Sequence, residues 1–260
     1  MRRYLPAGLK RRLRRWLLKD AGSAVDLTRY GYVFIVTYGR SGSTLLMGIL
    51  NTIPGYRING ENYNALYRLY QADAAIAEAH QLCAGKARHQ EPQSPWHGMP
   101  RARPAQFRQE IVTSFVTHIL RPGPKDRVLG FKEIRYTKGN MPDLDKFLDF
   151  LRQRFPDCKI VFNHRDLAAV AKSSWWALDP KASEKLKVAD GRLWEIPADE
   201  RHFHFVYDEI DDSLANIRAL FDFLGERLDE PAVRQALDTL HSPPPAKYAK
   251  QLAAEPTPQT

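Results

Sequence analysis

The sequence predicts a three-layer α/β fold, in which helices cover both faces of a mainly parallel central sheet. Short runs of β-branched and aromatic residues alternate along the chain with longer segments of helical hydrophobic spacing, a pattern typical of parallel strands joined by helices. The 260 residues have a globular composition, with 43% hydrophobic and 27% charged side chains. We expect the core of this length of chain to form one domain.

Four short apolar runs predict the strands. In chain order they cover residues 32–37, 128–131, 159–163 and 203–207. Between and after them, hydrophobic residues recur at helical spacing and predict helices over residues 45–53, 144–155, 167–176 and 210–224. Pro54 and Gly55 end the first of these helices, and Gly225 is expected to cap the last.

Two further segments do not fit this alternation. Residues 71–105 are expected to begin as an alanine-rich helix and to become a loop rich in proline, histidine and glutamine, and residues 178–201 are expected to be polar and irregular. An α/β enzyme carries substrate-binding insertions on such segments, and we expect the acceptor to bind residues 71–125. Four aromatic side chains within residues 63–96 would either stack on sugar rings or pack in the core: Tyr63, Tyr67, Tyr70 and Trp96.

The net charge of +9 is concentrated at the N-terminus. Residues 1–20 carry eight basic side chains and one acidic side chain, so the other 240 residues are nearly neutral, which argues against nucleic acid as a partner. Leucines and Trp16 share one helical face opposite the arginines. This pattern predicts an amphipathic helix that lies on an anionic membrane, or one that packs its leucines on the domain. A transit peptide is a weaker alternative, because the segment contains no serine or threonine.

We therefore predict three parts: a basic amphipathic helix at 1–22, a single domain at 23–250 and a disordered tail at 251–260. No apolar run reaches the roughly 18 residues that a membrane-spanning helix needs. The two cysteines, Cys83 and Cys158, lack metal-ligand spacing and cannot form a disulfide framework. The expected location is the cytoplasm, or the inner face of the membrane through the N-terminal helix.

An anion-binding loop is predicted directly after the first strand. Residues 37–44 read TYGRSGST, in which glycines that let the backbone approach a ligand stand beside Arg40 and several hydroxyl side chains. A tight turn without a ligand would also use glycines, but the arginine and the hydroxyls favour binding. The loop is not a Walker A sequence, because no lysine precedes Ser43 or Thr44.

With this loop the chain resembles the sulfotransferases that use 3′-phosphoadenosine 5′-phosphosulfate (PAPS), especially bacterial and carbohydrate-type members with an RSGST loop. The resemblance covers residues 32–62 and 128–176, and more weakly 203–242. It implies a P-loop-type fold, PAPS as the sulfuryl donor and no metal. It also implies the residues that hold the 5′-phosphosulfate: Arg40, Ser41, Gly42, Ser43 and Thr44.

The resemblance implies a second cofactor contact within residues 159–174. Arg165 follows a strand, and Ser173 stands eight residues later on the expected helix. Members of the family place this pair on the 3′-phosphate of the cofactor, and a guanidinium fork and a hydroxyl suit phosphate oxygens. One family feature is missing, because residues 241–248 contain no arginine-lysine-glycine tripeptide.

The resemblance also implies the catalytic groups. Glu61 stands where carbohydrate-type and mycobacterial-type members carry a carboxylate proposed as the catalytic base, and Arg40 and Lys132 would act on the sulfuryl or bridging oxygens. An acceptor hydroxyl is a poor nucleophile, so that a positioned base assists the reaction. Glu61 could instead cap or salt-bridge a loop, and an ordinary ion pair could explain Lys132. The competing candidates for the base are Glu133, His164 and Asp166.

The sequence thus predicts a sulfotransferase that moves a sulfuryl group from PAPS to a hydroxyl of a saccharide or glycolipid, by direct in-line transfer. A P-loop kinase or another nucleotide phosphotransferase is one alternative, disfavoured by the missing lysine and magnesium ligands. A non-enzymatic protein that binds membranes or RNA through its N-terminal helix is the other.

Overall fold

The computed structural model describes residues 25–239, which form a three-layer α/β fold. The central sheet is parallel throughout and has the strand order β2-β3-β1-β4-β5. The strands are β1 (Gly31–Val36), β2 (Tyr56–Asn59), β3 (Val128–Glu133), β4 (Cys158–His164) and β5 (His202–Val206). This sheet confirms the predicted fold class. The predictions for residues 1–22, 241–248 and 251–260 lie outside the described residues.

Eight α-helices surround the sheet within residues 25–239. They are α1 (Ser43–Leu50), α2 (Ala65–Cys83), α3 (Pro104–Phe115), α4 (Leu144–Arg154), α5 (Leu167–Ala171), α6 (Ala182–Trp194), α7 (Ala215–Leu224) and α8 (Glu230–Asp238). A π-helical turn, Val116–Leu120, continues α3. None of these helices is both long and apolar enough to cross a membrane.

Alternate side chains of β1 enter two separate hydrophobic cores. Phe34 and its neighbours in register pack on one face, where the ring centroids of Phe34 and Phe131 lie 4.9 Å apart. Val33 and Ile35 pack on the other face, with residues of α1 and α7. Because successive side chains of a strand point to opposite faces, a strand that is apolar at every position must be covered on both sides. This arrangement confirms the prediction of helices on both faces.

Three predictions about secondary structure are wrong. The strand β2 was not expected, because only Ile58 of its four residues is buried and an edge strand of this kind carries a weak pattern. Residues 178–201, expected to be irregular, contain α6. Its buried stripe consists partly of alanines, and so its helical period is faint: Ala182, Leu186, Ala189 and Leu193.

The helix predicted over residues 167–176 is interrupted. The helix α5 ends at Ala171, and a 3-10 turn, Ser174–Leu178, follows. Ser174 adopts a left-handed conformation with φ of 55°, which breaks the helix. Ser173 therefore lies in the turn between the two elements, and not on a helix as predicted.

Two of the aromatic residues considered for sugar stacking are core residues. Tyr67 is buried, and both Tyr67 and Tyr70 donate hydrogen bonds to Asp143. Burial, and then the hydrogen bonds to Asp143, raise the pKa of each phenol to about 12. Tyr63 and Trp96 remain exposed, at 78% and 40%. The packing alternative is therefore correct for Tyr67 and Tyr70.

The strand order places β1 between β3 and β4 at the centre of the sheet. In an open parallel sheet the chain leaves such a central strand toward opposite faces, and the crevice at the carboxyl ends of the strands is the usual ligand site. The predicted site residues follow the carboxyl ends of β1, β2 and β4 or lie at the end of β3. The sheet thereby brings these distant segments to one edge.

Candidate active site at the carboxyl edge of the sheet

The loop between β1 and α1 adopts the conformation of an anion site. Arg40 and Gly42 both have positive φ, 71° and 80°. Gly42 is the N-cap of α1 and supplies no side-chain hydrogen bond to its first turn, and the N-terminal end of a helix favours an anion. A Cβ atom on Gly42 would overlap the ring of Tyr207. Only glycine therefore fits this position.

The loop is fastened to β4 by buried hydrogen bonds. The Thr37 hydroxyl donates to the carbonyl oxygen of Asn163 (2.6 Å), and the Asn163 amide donates to the carbonyl oxygen of Ser41 (2.8 Å). The hydroxyl oxygens of Thr37 and Ser41 lie 2.9 Å apart. Ser41 is fully buried. Its side chain therefore holds the loop in shape, and a ligand would meet Ser41 through the backbone.

The structure brings Arg40, Arg165 and Ser173 together. Arg40 donates from Nε to the Ser173 hydroxyl at 3.0 Å, and Arg165 donates from Nη1 to the carbonyl oxygen of Arg40, also at 3.0 Å. The Nε atom of Arg165 is buried and has no hydrogen-bond partner in the described structure. An unpaired buried donor is costly unless a ligand satisfies it. The predicted phosphate-binding pair is thus joined to the loop by direct contacts.

Tyr207 is a site residue that the sequence analysis missed. It follows β5 directly, its ring packs against Gly42, and the Arg165 guanidinium carbon lies 4.5 Å from the ring centroid. A cation over an aromatic face is favourable and restricts the guanidinium. Its position at the carboxyl end of a predicted parallel strand, residues 203–207, was the available signal, because the carboxyl ends of such strands meet.

The 3-10 turn after Ser173 forms a second wall of the loop. The Trp176 indole donates to the carbonyl oxygen of Gly39 at 3.0 Å, and a Cβ atom on Gly39 would overlap the Trp175 ring. Gly39 therefore permits the close approach of the indole to the backbone. The two tryptophans connect Ser173 with the anion loop, and sequence analysis gave them no role.

Glu61 and Lys132 form an ion pair with each other. The Lys132 ammonium lies 2.7 Å from Glu61 Oε1, with 7% of the lysine side chain exposed and 33% of the glutamate side chain. Arg135 Nη1 lies 3.1 Å from Glu61 Oε2 and 2.7 Å from Glu133 Oε1. Burial alone would lower the pKa of Arg135, but the bonds to these carboxylates raise it. Two cations thus orient a carboxylate that remains accessible.

The competing candidates for the base are engaged elsewhere. Glu133 is buried and accepts hydrogen bonds from the backbone N–H groups of Asn62, Asn64 and Ile134 in addition to Arg135. It therefore anchors the segment that carries Glu61.

His164 and Asp166 also hold the fold. His164 is buried between the Asp190 carboxylate (2.7 Å from Nδ1) and His204 (2.8 Å from Nε2). The Asp166 side chain caps α5 by accepting from the N–H of Ala169. Glu61 is the only one of the four candidates within residues 25–239 whose carboxylate is both held by a lysine and open to solvent.

A cleft of about 680 Å³ opens beside the loop. Gly39, Arg135 and Trp175 line it together with residues 137–140 and α6. Tyr38 and Arg135 form an isolated antiparallel bridge, which holds the loop against the segment that carries Arg135. The cleft therefore touches both the anion loop and the Arg135–Glu61 pair. The expected acceptor-binding residues 71–125 do not line it.

The described part of the chain contains no cluster of side chains suited to a metal ion. No group of three or more His, Cys, Asp or Glu side chains there is placed to hold a metal ion. The polar groups that converge on the loop are arginine, serine and backbone N–H groups, which suit an anion.

A family model described as the sulfotransferase family matches residues 33–230. The chain belongs to the sulfotransferase family. The match spans the anion loop, Glu61, Lys132, Arg165 and Ser173. Membership supports a transferase of the sulfotransferase type and confirms the family resemblance. No curated protein matches the chain.

A solved sulfotransferase structure shares this fold. The sulfotransferase domain of the olefin synthase of Synechococcus PCC 7002 aligns with a TM-score of 0.51 and 17% identity over 92% of this chain and 93% of that one. Sulfotransferase STF9 from Mycobacterium avium aligns with a TM-score of 0.45 and 15% identity over 86% of this chain and 71% of that one. The first of these similarities supports the α/β fold of the sulfotransferase.

Proposed function

We propose that this sulfotransferase moves a sulfuryl group from PAPS to a hydroxyl group of a saccharide or glycolipid. The observation that carries the proposal is the convergence of Arg40, Arg165 and Ser173 on the left-handed loop at Gly42. The Glu61–Lys132 pair lies at the same edge of the sheet, and Arg135 links it to the cleft beside the loop.

The residues around the loop fit a nucleotide with separate anionic groups. The first turn of α1 and Arg40 would hold the 5′-phosphosulfate. Arg165, whose buried Nε lacks a partner, and Ser173 would hold the 3′-phosphate. A sulfuryl group is less charged than a phosphoryl group, and its transfer depends on positioning and hydrogen-bond donors.

PAPS, when bound, supplies the sulfuryl group that passes directly to the acceptor oxygen. Glu61 accepts the proton of the acceptor hydroxyl, while Lys132 and Arg135 hold its carboxylate in a fixed orientation. Arg40 and Lys132 place positive charge where negative charge develops. Lys132 is almost fully buried, which restricts its ammonium to a narrow range of positions.

Calorimetry with adenosine 3′,5′-bisphosphate (PAP), the product form of the cofactor, tests this proposal against a nucleotide phosphotransferase. We expect PAP to bind at least tenfold more tightly than ATP without magnesium, because the site has a place for the 3′-phosphate. Tighter binding of ATP in the presence of magnesium would contradict the proposal and favour the kinase alternative. Absence of binding by both PAP and ATP would favour a non-enzymatic protein.

We further propose an anionic membrane surface as a partner of residues 1–20. The basic side chains of this segment stand opposite leucines and Trp16 in a helical projection, which suits binding in the plane of the headgroups. Sedimentation with phosphatidylglycerol vesicles should pellet the full chain but not a chain that begins at Ala21. Equal pelleting would contradict this partner, whereas PAP binding should survive the truncation.

A further inference from the structure

The cleft beside the anion loop has the shape and position of a second substrate site. Its volume of about 680 Å³ lies within the range of small-molecule sites. One wall is Trp175, whose ring packs on Gly39 of the loop. Arg135, which holds Glu61, also lines the cleft. A molecule in the cleft would therefore lie next to the predicted anion loop and to the arginine that holds the predicted base.

The charges around the cleft balance. Lys185 pairs with Asp179 at 2.6 Å, and Arg135 belongs to a group with Lys132, Glu61 and Glu133 that has no net charge. The two remaining ionic side chains are Lys138 and Glu184, which have opposite signs. An acidic ligand would thus meet no surplus of positive charge, and burying an unpaired carboxylate is unfavourable.

The remaining lining combines aromatic, apolar and hydrogen-bonding groups. Trp175 is half-buried, and Val188 on α6 is 43% exposed despite its apolar side chain. Thr137 and Asn140, which hydrogen bond to each other at 2.8 Å, supply polar atoms to the rim. An aromatic wall with neutral hydrogen-bonding groups at its edge suits a ring that has apolar faces and hydroxyl edges.

We propose that this cleft binds an uncharged, polyhydroxylated ring, such as a neutral pyranoside, with Trp175 as the stacking surface and Glu184 and Asn140 as hydrogen-bond partners. This inference rests on the proposed function, because it assigns the acceptor of the same reaction. It replaces residues 71–125 as the acceptor-binding region.

The test is binding of four neutral methyl glycosides, those of glucose, galactose, mannose and N-acetylglucosamine, to the full chain in the presence of PAP, measured by saturation-transfer NMR. We expect at least one to bind, and methyl glucuronide and cyclohexanol to bind at least about fivefold more weakly. Trp175→Leu should lower the affinity for the glycoside that binds by about tenfold. Trp96→Leu, which changes an exposed tryptophan outside the cleft, should have no effect.

The controls separate this inference from the proposed function. PAP affinity of the unaltered chain tests the proposed function alone. If Trp175→Leu also loses PAP binding because the loop has shifted, Glu184→Ala decides, since Glu184 is exposed and forms no ion pair in the described structure; we expect a loss of about fivefold. Absence of binding by all four neutral glycosides, preference for the glucuronide or for cyclohexanol, or unchanged affinity in Glu184→Ala would overturn the inference while leaving PAP binding intact.

Discussion

The Arg165 side chain donates a hydrogen bond to the carbonyl oxygen of Arg40, 125 positions earlier in the chain, at 3.0 Å. A guanidinium that follows β4 thereby fixes the backbone of a loop that follows β1. The same guanidinium stacks on Tyr207, which follows β5. Three neighbouring strands therefore share one structural contact at their carboxyl ends, and nucleotide affinity should depend on it.

Substitution of Arg165 should reduce the preference for a 3′-phosphate. A charge-assisted hydrogen bond contributes about 1.5–3 kcal/mol, so Arg165→Ala should weaken PAP by roughly 10- to 100-fold. Because Arg165 also holds the Arg40 backbone, the affinity for AMP should fall slightly. The decisive quantity is the ratio of the affinity for PAP to the affinity for AMP. Calorimetry with both nucleotides measures it. Ser173→Ala should lower this ratio less than Arg165→Ala does. An unchanged ratio in Arg165→Ala would show that this turn does not bind the 3′-phosphate.

Substitution of Glu61 should affect turnover and not cofactor binding. Glu61→Gln keeps the shape of the side chain but cannot accept a proton, so turnover with PAPS and a hydroxyl acceptor should fall about 100-fold or more. PAP affinity should be unchanged. Glu78→Gln, an exposed glutamate on α2, is the matched control. Full activity of Glu61→Gln would show that Glu61 is only an ion-pair partner of Lys132.

Substitution of Gly42 should damage both stability and the anion site. Gly42→Ala places a Cβ atom in the Tyr207 ring at a residue with φ of 80°. We expect a loss of about 2 kcal/mol or more in the free energy of unfolding, together with weaker PAP binding. The control is Gly191→Ala in α6, where a Cβ atom meets open space. That change should stabilise the protein by up to about 1 kcal/mol, and equal effects of the two variants would contradict the steric argument.

Stability should decrease as the pH falls below about 6.5. His202 accepts a hydrogen bond from Arg152 at Nε2 (2.9 Å) and lies beside Asp199 at Nδ1. Burial lowers the pKa of His202, although Asp199 acts in the opposite direction. In this pH range the unfolded chain binds a proton at His202 that the folded chain does not bind. The contribution of His202 to the free energy of unfolding is therefore lost as the pH falls from about 6.5 to the lowered pKa.

Urea unfolding at pH 7.5, 6.5 and 5.5 measures this dependence. Burial likewise lowers the pKa of His204, so both histidines contribute in the same direction. The slope between pH 7.5 and 5.5 should be smaller in His202→Gln than in the unaltered chain. His118→Gln, at an exposed position, should leave the slope unchanged. A steeper slope in His202→Gln would contradict the assignment.

The fold class and the place of the candidate anion loop follow from local patterns of residues. Apolar runs such as residues 32–37 can be predicted as strands, because a strand covered on both faces must be apolar at every position. The loop TYGRSGST can be predicted because its glycine, arginine and hydroxyl residues are adjacent in the chain. The sequence allows an ion pair for Glu61 and one for Lys132, but only the structure shows that the two residues pair with each other. By contrast, β2 and α6 escaped prediction, since a short edge strand and an alanine-containing stripe carry little hydrophobic signal.

Which side chains share the candidate site depends on the packing of distant segments. Tyr207 and Trp175 reach Gly42 and Gly39 because the strand order β3-β1-β4-β5 aligns their carboxyl ends. The cleft likewise combines Gly39 and Trp175 with residues of the segment 134–140 and of α6. Sheet order and the left-handed turn at Ser174 arise from packing between segments far apart in the chain, so no local pattern of residues specifies them.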